Sequence, residues 1–151
     1  VVATDLSVFD DTLDVNLRGH VRITKLAVPH LLKHGGAFVY TTSETAYLSE
    51  PTRFSYAITK SGINALMRHV ATRWGRDGIR ANAVAPGFTL TPALDAYISE
   101  DMKAEFLGNI HSPRLVLPED IAATVAFLMS DDAFSINGQV INVDGGRILR
   151  A

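Results

Sequence analysis

The chain is 151 residues long, 47% apolar and 20% charged, with a formal net charge of −2. That balance excludes intrinsic disorder and gives no support to a polyanion-binding role, so no nucleic-acid partner is expected. The sequence has no cysteine, which excludes a disulfide scaffold, thiolate catalysis and thiolate zinc sites, and fits a reducing compartment.

An ordinary domain of this size buries roughly 68–70% of the surface its unfolded chain exposes, so one real core is expected. The longest apolar run, residues 121–129 with Thr124 inside it, is far shorter than the roughly 18 residues a membrane helix needs. No membrane partner is expected, and no secretory pattern opens the chain. The first residue is Val1 rather than Met, which raises the expectation of a fragment.

Residues 5–34 read as a helix. Leu6, Phe9, Leu13, Leu17 and Val21 recur at helical spacing, and Ile23, Leu26, Ala27 and Leu31 continue a stripe. His30, Lys33 and His34 suit the negative end of the helix dipole, and Gly35-Gly36 stops the helix. Pro29 predicts a kink or an early break. Residues 37–42 form a continuous β-rich run, as in a strand buried on both faces of a parallel sheet.

Residues 43–53 are polar and turn-rich, and 54–76 read as a long helix ended by Asp77-Gly78. A second strand is expected at 79–85, broken by Pro86-Gly87. Residues 88–117 are irregular, with short helical stretches over 92–107. Pro118-Glu119-Asp120 opens a helix running to about Met129, with proline in its first position and acids in its first turn. A last short strand covers 140–143. Strands alternating with helices mean parallel βαβ units joined by right-handed crossovers. The fold class is therefore α/β, a doubly wound parallel sheet of which three strands are present.

The chemistry starts with Tyr56-Ala57-Ile58-Thr59-Lys60, which sets a tyrosine and a lysine at i and i+4 on one helix face. A free phenol titrates near 10, too high for efficient proton transfer at neutral pH. An ammonium group one turn away favours the phenolate. A surface tyrosine beside a solvated lysine is the plainer reading of the pair alone. Ser43 sharpens it, lying just past a strand end, where open α/β sheets bind ligands. Asn16, a polar residue between Val15 and Leu17, reads either as a satisfied helix-interior amide or as a water-holding link in a proton path.

Together these residues make the sequence resemble the short-chain dehydrogenase/reductase family. The resemblance rests on Asn16 in Val15-Asn16-Leu17-Arg18-Gly19, on Ser43 after Thr41-Thr42, and on Tyr56-x-x-x-Lys60. Asn82-Ala83-Val84-Ala85-Pro86-Gly87-Phe88-Thr89-Leu90-Thr91-Pro92 is similar to the family's strand and turn beside the nicotinamide. Residues 138–146 resemble its last strand and C-terminal tail. Val116-Leu117 before Pro118 departs from the usual glycine, and Thr42 from a common serine; neither touches the chemistry.

The resemblance implies an NAD(P)-dependent oxidoreductase moving hydride between NAD or NADP and a secondary alcohol or ketone. It implies a proton-exchanging Tyr56, a Lys60 that supports the phenolate and holds the nicotinamide ribose, a Ser43 that orients the substrate oxygen, and an Asn16 that holds a water. It also implies a carboxamide anchor at Thr89 and Thr91, with Pro86 and Gly87 shaping the turn. A small-molecule substrate, a homodimer or homotetramer and a cytoplasmic location follow in the same way. The aromatic residues Phe88, Tyr97 and Phe106 fall where this family covers its substrate, although core packing of a short lid explains them equally well. His30 and His34, at i and i+4, read as a solvated helix end rather than as metal ligands, and no metal is expected.

The family's glycine-rich phosphate turn cannot be written here, because no two of the 11 glycines lie two residues apart. The expectation is therefore that residues 1–151 are the C-terminal part of a single Rossmann-like NAD(P)-binding domain. A non-catalytic nucleotide-sensing relative and an interaction or oligomerisation module are the alternatives. On the first reading the 151 residues alone show no saturable micromolar binding of NADH or NADPH by calorimetry; such binding would contradict it.

Overall fold

In the computed structural model, described for residues 1–48 and 50–149, three parallel strands are covered by helices on both faces. The chain enters a helix at Asp5, whose carboxylate accepts the Ser7 amide at 2.9 Å. Helix α1 (Leu6–Leu13) passes through a π-helical turn (Asp14–Arg18) into α2 (Gly19–Leu31). The single helix expected over 5–34 is thus helical throughout most of its length, but its irregularity lies at Asn16 and not at Pro29. Pro29 falls in the last turn of α2, where it leaves the Lys25 carbonyl without its helical partner but little helix lies beyond it for a kink to deflect. The end follows at Gly35 and Gly36, with φ of 76° and 152°.

Strands β1 (Gly36–Thr41), β2 (Ile79–Pro86) and β3 (Val140–Val143) stand in that order. Gly36 pairs with Ile79 and Thr41 with Val84, while Ala83 pairs with Val140 and Pro86 with Val143. The central strand β2 is buried along nearly its whole length, Ile79, Ala81, Ala83, Val84 and Ala85 being fully enclosed. β1 differs from the expectation of burial on both faces. Only Tyr40 in it is buried, because among the described residues β1 pairs with β2 alone and forms a sheet edge.

Helix α3 (Phe54–Trp74) lies on one face. Its Ile63, Met67 and Val70, spaced three and four apart, enter a core with Val28, Tyr40, Ile79, Ala81 and Ala83. Helix α6 (Pro118–Met129) covers the other face through Leu128, which packs with Val84 and Ala133. Between β2 and α6, α4 (Pro92–Asp95) and α5 (Glu100–Gly108) give the irregular stretch its helical content.

Two polar devices fix the layers. The Arg80 guanidinium donates to the Leu128 and Ser130 carbonyls at 2.9 Å each, placing a cation at the negative end of α6. The fully buried Asn82 donates to the Ile136 carbonyl at 2.7 Å and accepts from the Gln139 amide at 3.0 Å, which pins the approach to β3. Among the described residues, no helix is long and apolar enough to cross a membrane, and no cluster of three or more His, Asp or Glu is placed to hold a metal ion. Met67 is completely enclosed between α3 and the sheet. Met67→Ala is expected to lower unfolding free energy by about 2–5 kcal/mol, measured by urea denaturation with an unchanged slope.

Candidate active site

The C-terminal ends of β1 and β2 and the start of α3 converge on one cleft of about 690 Å³. Ser43, Glu44, Tyr56, Gly87, Thr89 and Phe106 are among the residues lining it. A larger cleft of about 840 Å³ opens at the opposite end of the strands, against Gly35, Gly78 and Asn137. Open α/β sheets bind ligands outside the carboxyl ends of their strands, so the cleft at Ser43 is the candidate site.

Beyond β1, Thr42 keeps the strand path, its amide donating to the Val84 carbonyl at 2.8 Å. Ser43 follows in extended backbone, φ −162°, and its hydroxyl accepts the Thr45 amide at 3.2 Å, capping a short turn over Glu44–Ala46. Helix α3 is fastened to this strand end twice. The Thr42 hydroxyl donates to the Lys60 carbonyl at 2.9 Å, and Lys60 Nζ donates to the Thr41 carbonyl at 3.0 Å. Lys60 is buried, and loss of solvent lowers its pKa from the ordinary lysine value. Its Nζ lies 5.3 Å from the centre of the Tyr56 ring, one helical turn back, as i and i+4 spacing requires. The other neighbour of that ring is Arg53, at 5.8 Å.

The turn after β2 makes the opposite wall. The Gly87 amide donates to the Val143 carbonyl at 3.0 Å, and a Cβ built on Gly87 would stand 2.8 Å from the Asp144 Cα. Only glycine fits so close an approach. Thr89 donates its hydroxyl to the Gly87 carbonyl at 3.0 Å and bridges to Val116. The Thr91 hydroxyl accepts the Leu94 amide at 3.1 Å and caps α4. Phe88 and Phe106 stack with ring centres 3.7 Å apart, whereas Tyr97 is 90% exposed and packs in no core.

Of the residues singled out from sequence, Ser43, Tyr56, Pro86, Gly87 and Thr89 line the cleft together, and Lys60 adjoins it behind Tyr56. Thr91 and Asn16 do not line it. Asn16 sits in the π turn that packs on α3, where Leu17 comes so close to Gly62 that an added Cβ would meet it at 2.9 Å. The Asn16 carbonyl meets His20 Nδ1 at 2.6 Å.

Sequence reasoning missed Glu44 and Arg147. Glu44 is buried, and its Oε1 accepts from the Arg147 guanidinium at 3.0 Å, while its Oε2 and the neighbouring Thr45 hydroxyl are buried without a partner among the described residues. An orphaned buried polar atom costs about 1–3 kcal/mol, so two of them side by side mark a place that a ligand can satisfy. Burial pushes the Glu44 carboxyl up from the ordinary glutamate value, with Asp144 adding to the rise, against the opposing pull of Arg147 and Arg53. An acid directly after the strand-end serine was a signal; the partner at Arg147 had none, lying 103 residues away. Nearby, hydrogen bonds from Thr52 and then Arg53 hold the half-buried Glu50 carboxyl down at about 2.

Comparison with known proteins bears on the family and the fold. A family model described as enoyl-(acyl carrier protein) reductase matches residues 1–147. A probable short-chain type dehydrogenase/reductase of Bradyrhizobium diazoefficiens is 40% identical over 149 residues, covering 98% of this chain and 53% of that protein. The 7alpha-hydroxysteroid dehydrogenase of Bacteroides fragilis is 38% identical over 143 residues, covering 94% of this chain and 55% of that one. A solved structure of a putative 2-deoxy-D-gluconate 3-dehydrogenase from Agrobacterium tumefaciens with bound NADP superposes with a TM-score of 0.91 at 30% identity, over 99% of this chain and 62% of the other. The chain belongs to the short-chain dehydrogenase/reductase family. It spans about half the length of the curated relatives it matches.

Proposed function

We propose that these residues carry the proton-transfer half of an NAD(P)-dependent oxidoreductase acting on a secondary alcohol or ketone, within a Rossmann-like domain of which residues 1–151 are the C-terminal part. The observation that carries the reading is the clamped Tyr56–Lys60 pair opening into the same cleft as Ser43.

The residues present fit the nicotinamide end of the cofactor. Tyr56, Gly87 and Thr89 line one cleft, and Lys60 has ammonium donors beyond the one used at the Thr41 carbonyl. Pro86, Gly87 and Thr89 would hold the carboxamide, and Lys60 with Tyr56 the ribose. The Thr91 hydroxyl still has its own proton to donate while it caps α4. When bound, NAD or NADP supplies the hydride acceptor or donor, and the protein supplies orientation and electrostatics.

In the reductive direction the Tyr56 hydroxyl gives its proton to the substrate oxygen as the carbonyl becomes an alkoxide. Ser43 donates a hydrogen bond to the same oxygen and fixes its position. Lys60 sets positive charge beside the phenolate that is left. Asn16, whose backbone carbonyl meets His20 Nδ1, holds the water that returns a proton to this pair. A homodimer or homotetramer is part of the same reading, supported by the exposed Val15, Ile23 and Leu26 on the π turn and α2. A cytoplasmic location belongs to it as well.

In the full-length protein, Tyr56→Phe is expected to lower kcat by about 10²–10⁴-fold while the NADH or NADPH dissociation constant stays within about threefold of wild type. Stopped-flow turnover and cofactor fluorescence titration check this pair of outcomes. Retention of turnover by the variant would contradict the assignment of Tyr56.

A further inference from the structure

The reading above leaves Glu44 without a task. Its side chain is 9% exposed, it follows Ser43 directly, and it lines the same cleft as Tyr56. Arg147 satisfies Oε1 at 3.0 Å, but Oε2 is buried and receives no hydrogen bond from the described residues. Oε2 lies over the side-chain-free face of Gly87, where a Cβ would stand 3.1 Å from it. The nearby cations are already committed, Arg147 to Oε1 and Arg53 to Glu50, whose Oε2 it reaches at 2.9 Å. The missing donor therefore has to come from something that enters the cleft.

Thr45 repeats the pattern one residue on. Its hydroxyl is buried and unpaired, and it lines the same cleft. Leu48, Leu94 and the stacked Phe88–Phe106 pair supply apolar lining as well. Glu44 Oε2 and the Thr45 hydroxyl are thus unpaired polar atoms in a lining that also carries Glu50, Arg53 and Thr89 beside the apolar residues. Because Arg147 already balances the Glu44 charge, the site asks for a neutral donor and not for a cation.

We propose that Glu44 is a specificity-determining residue that accepts a hydrogen bond from a second hydroxyl of a polyhydroxylated substrate, close to the carbon that exchanges hydride. This rests on the oxidoreductase reading of the same cleft. A substrate with a second hydroxyl satisfies Oε2, and further hydroxyls reach Thr45. A monohydric alcohol leaves both atoms unpaired, and sites built to bond a substrate hydroxyl reject analogues that lack it.

The test compares 1,2-cyclohexanediol with cyclohexanol as substrates of the full-length protein, with NAD and with NADP. The readout is the ratio of their kcat/KM values in wild type, Glu44→Ala, Glu44→Gln and Thr45→Val. Circular dichroism and thermal unfolding identify any variant that fails to fold, and Glu44→Gln keeps an acceptor toward Arg147. Wild type is expected to prefer the diol at least tenfold. Glu44→Ala should reduce that ratio at least tenfold, with Glu44→Gln retaining part of it and Thr45→Val causing a smaller loss. An unchanged ratio in folded Glu44→Ala overturns the proposal, as does a wild type that favours cyclohexanol or 2-aminocyclohexanol over the diol. Wild type that binds neither cofactor and oxidises none of these alcohols defeats the oxidoreductase reading itself, a result distinct from turnover without diol preference.

Discussion

The site depends on a double tie between the end of β1 and the middle of α3. The Thr42 hydroxyl reaches the Lys60 carbonyl, and Lys60 Nζ reaches back to the Thr41 carbonyl, at 2.9 and 3.0 Å. A buried ammonium is tolerated only where hydrogen bonds replace its water, and the strand-end carbonyl supplies one of them. The tie sets the rotation of α3 about its axis. That rotation turns Tyr56, one turn earlier, toward the cleft that begins at Ser43. If α3 turned by one residue, Tyr56 would swing about 100° away from the strand end.

The rest of the fold holds this arrangement still. Ile63, Met67 and Val70 anchor the same helix to the buried middle of the sheet, so the tie at Lys60 is not the only thing fixing α3. β2 links the two walls of the cleft, because it pairs with β1 along one edge and carries Pro86 and the Gly87 turn at its end. Gly87 in turn permits Asp144 to approach within a distance no side chain would allow. Asp144 accepts the Gly146 and Ile148 amides at 2.9 and 3.1 Å, which shapes the tail that brings Arg147 back to Glu44. The cleft is thus closed by residues as far apart in the chain as Glu44 and Arg147.

Much of this was legible in the residues. The alternation of apolar helix stripes with short β-rich runs gave three strands in their chain order, and Ser43, Tyr56 and Lys60, picked out by spacing, come together at or beside one cleft. Four features were not legible, each for a physical reason. The π turn at Asp14–Arg18 is a shift in hydrogen-bond register, and the apolar stripe runs through it without interruption. Pro29 carried a real signal, but its cost depends on how near the helix end it lies. The edge position of β1 depends on which strands pair with it, which its own composition does not state. Glu44 and Arg147 meet only because the tail folds back over the sheet, and no local pattern encodes a contact of that separation.

The central claim is that Ser43 and Tyr56 hold one substrate oxygen between them. The most direct measurement is a crystal structure of the full-length protein with a nicotinamide cofactor and a non-reacting ketone or alcohol analogue. The account predicts the analogue's oxygen within about 2.6–3.2 Å of both the Tyr56 hydroxyl and the Ser43 hydroxyl, with Lys60 still bonded to the Thr41 carbonyl. An oxygen bound away from both hydroxyls, or an α3 rotated so that Tyr56 leaves the cleft, would contradict it.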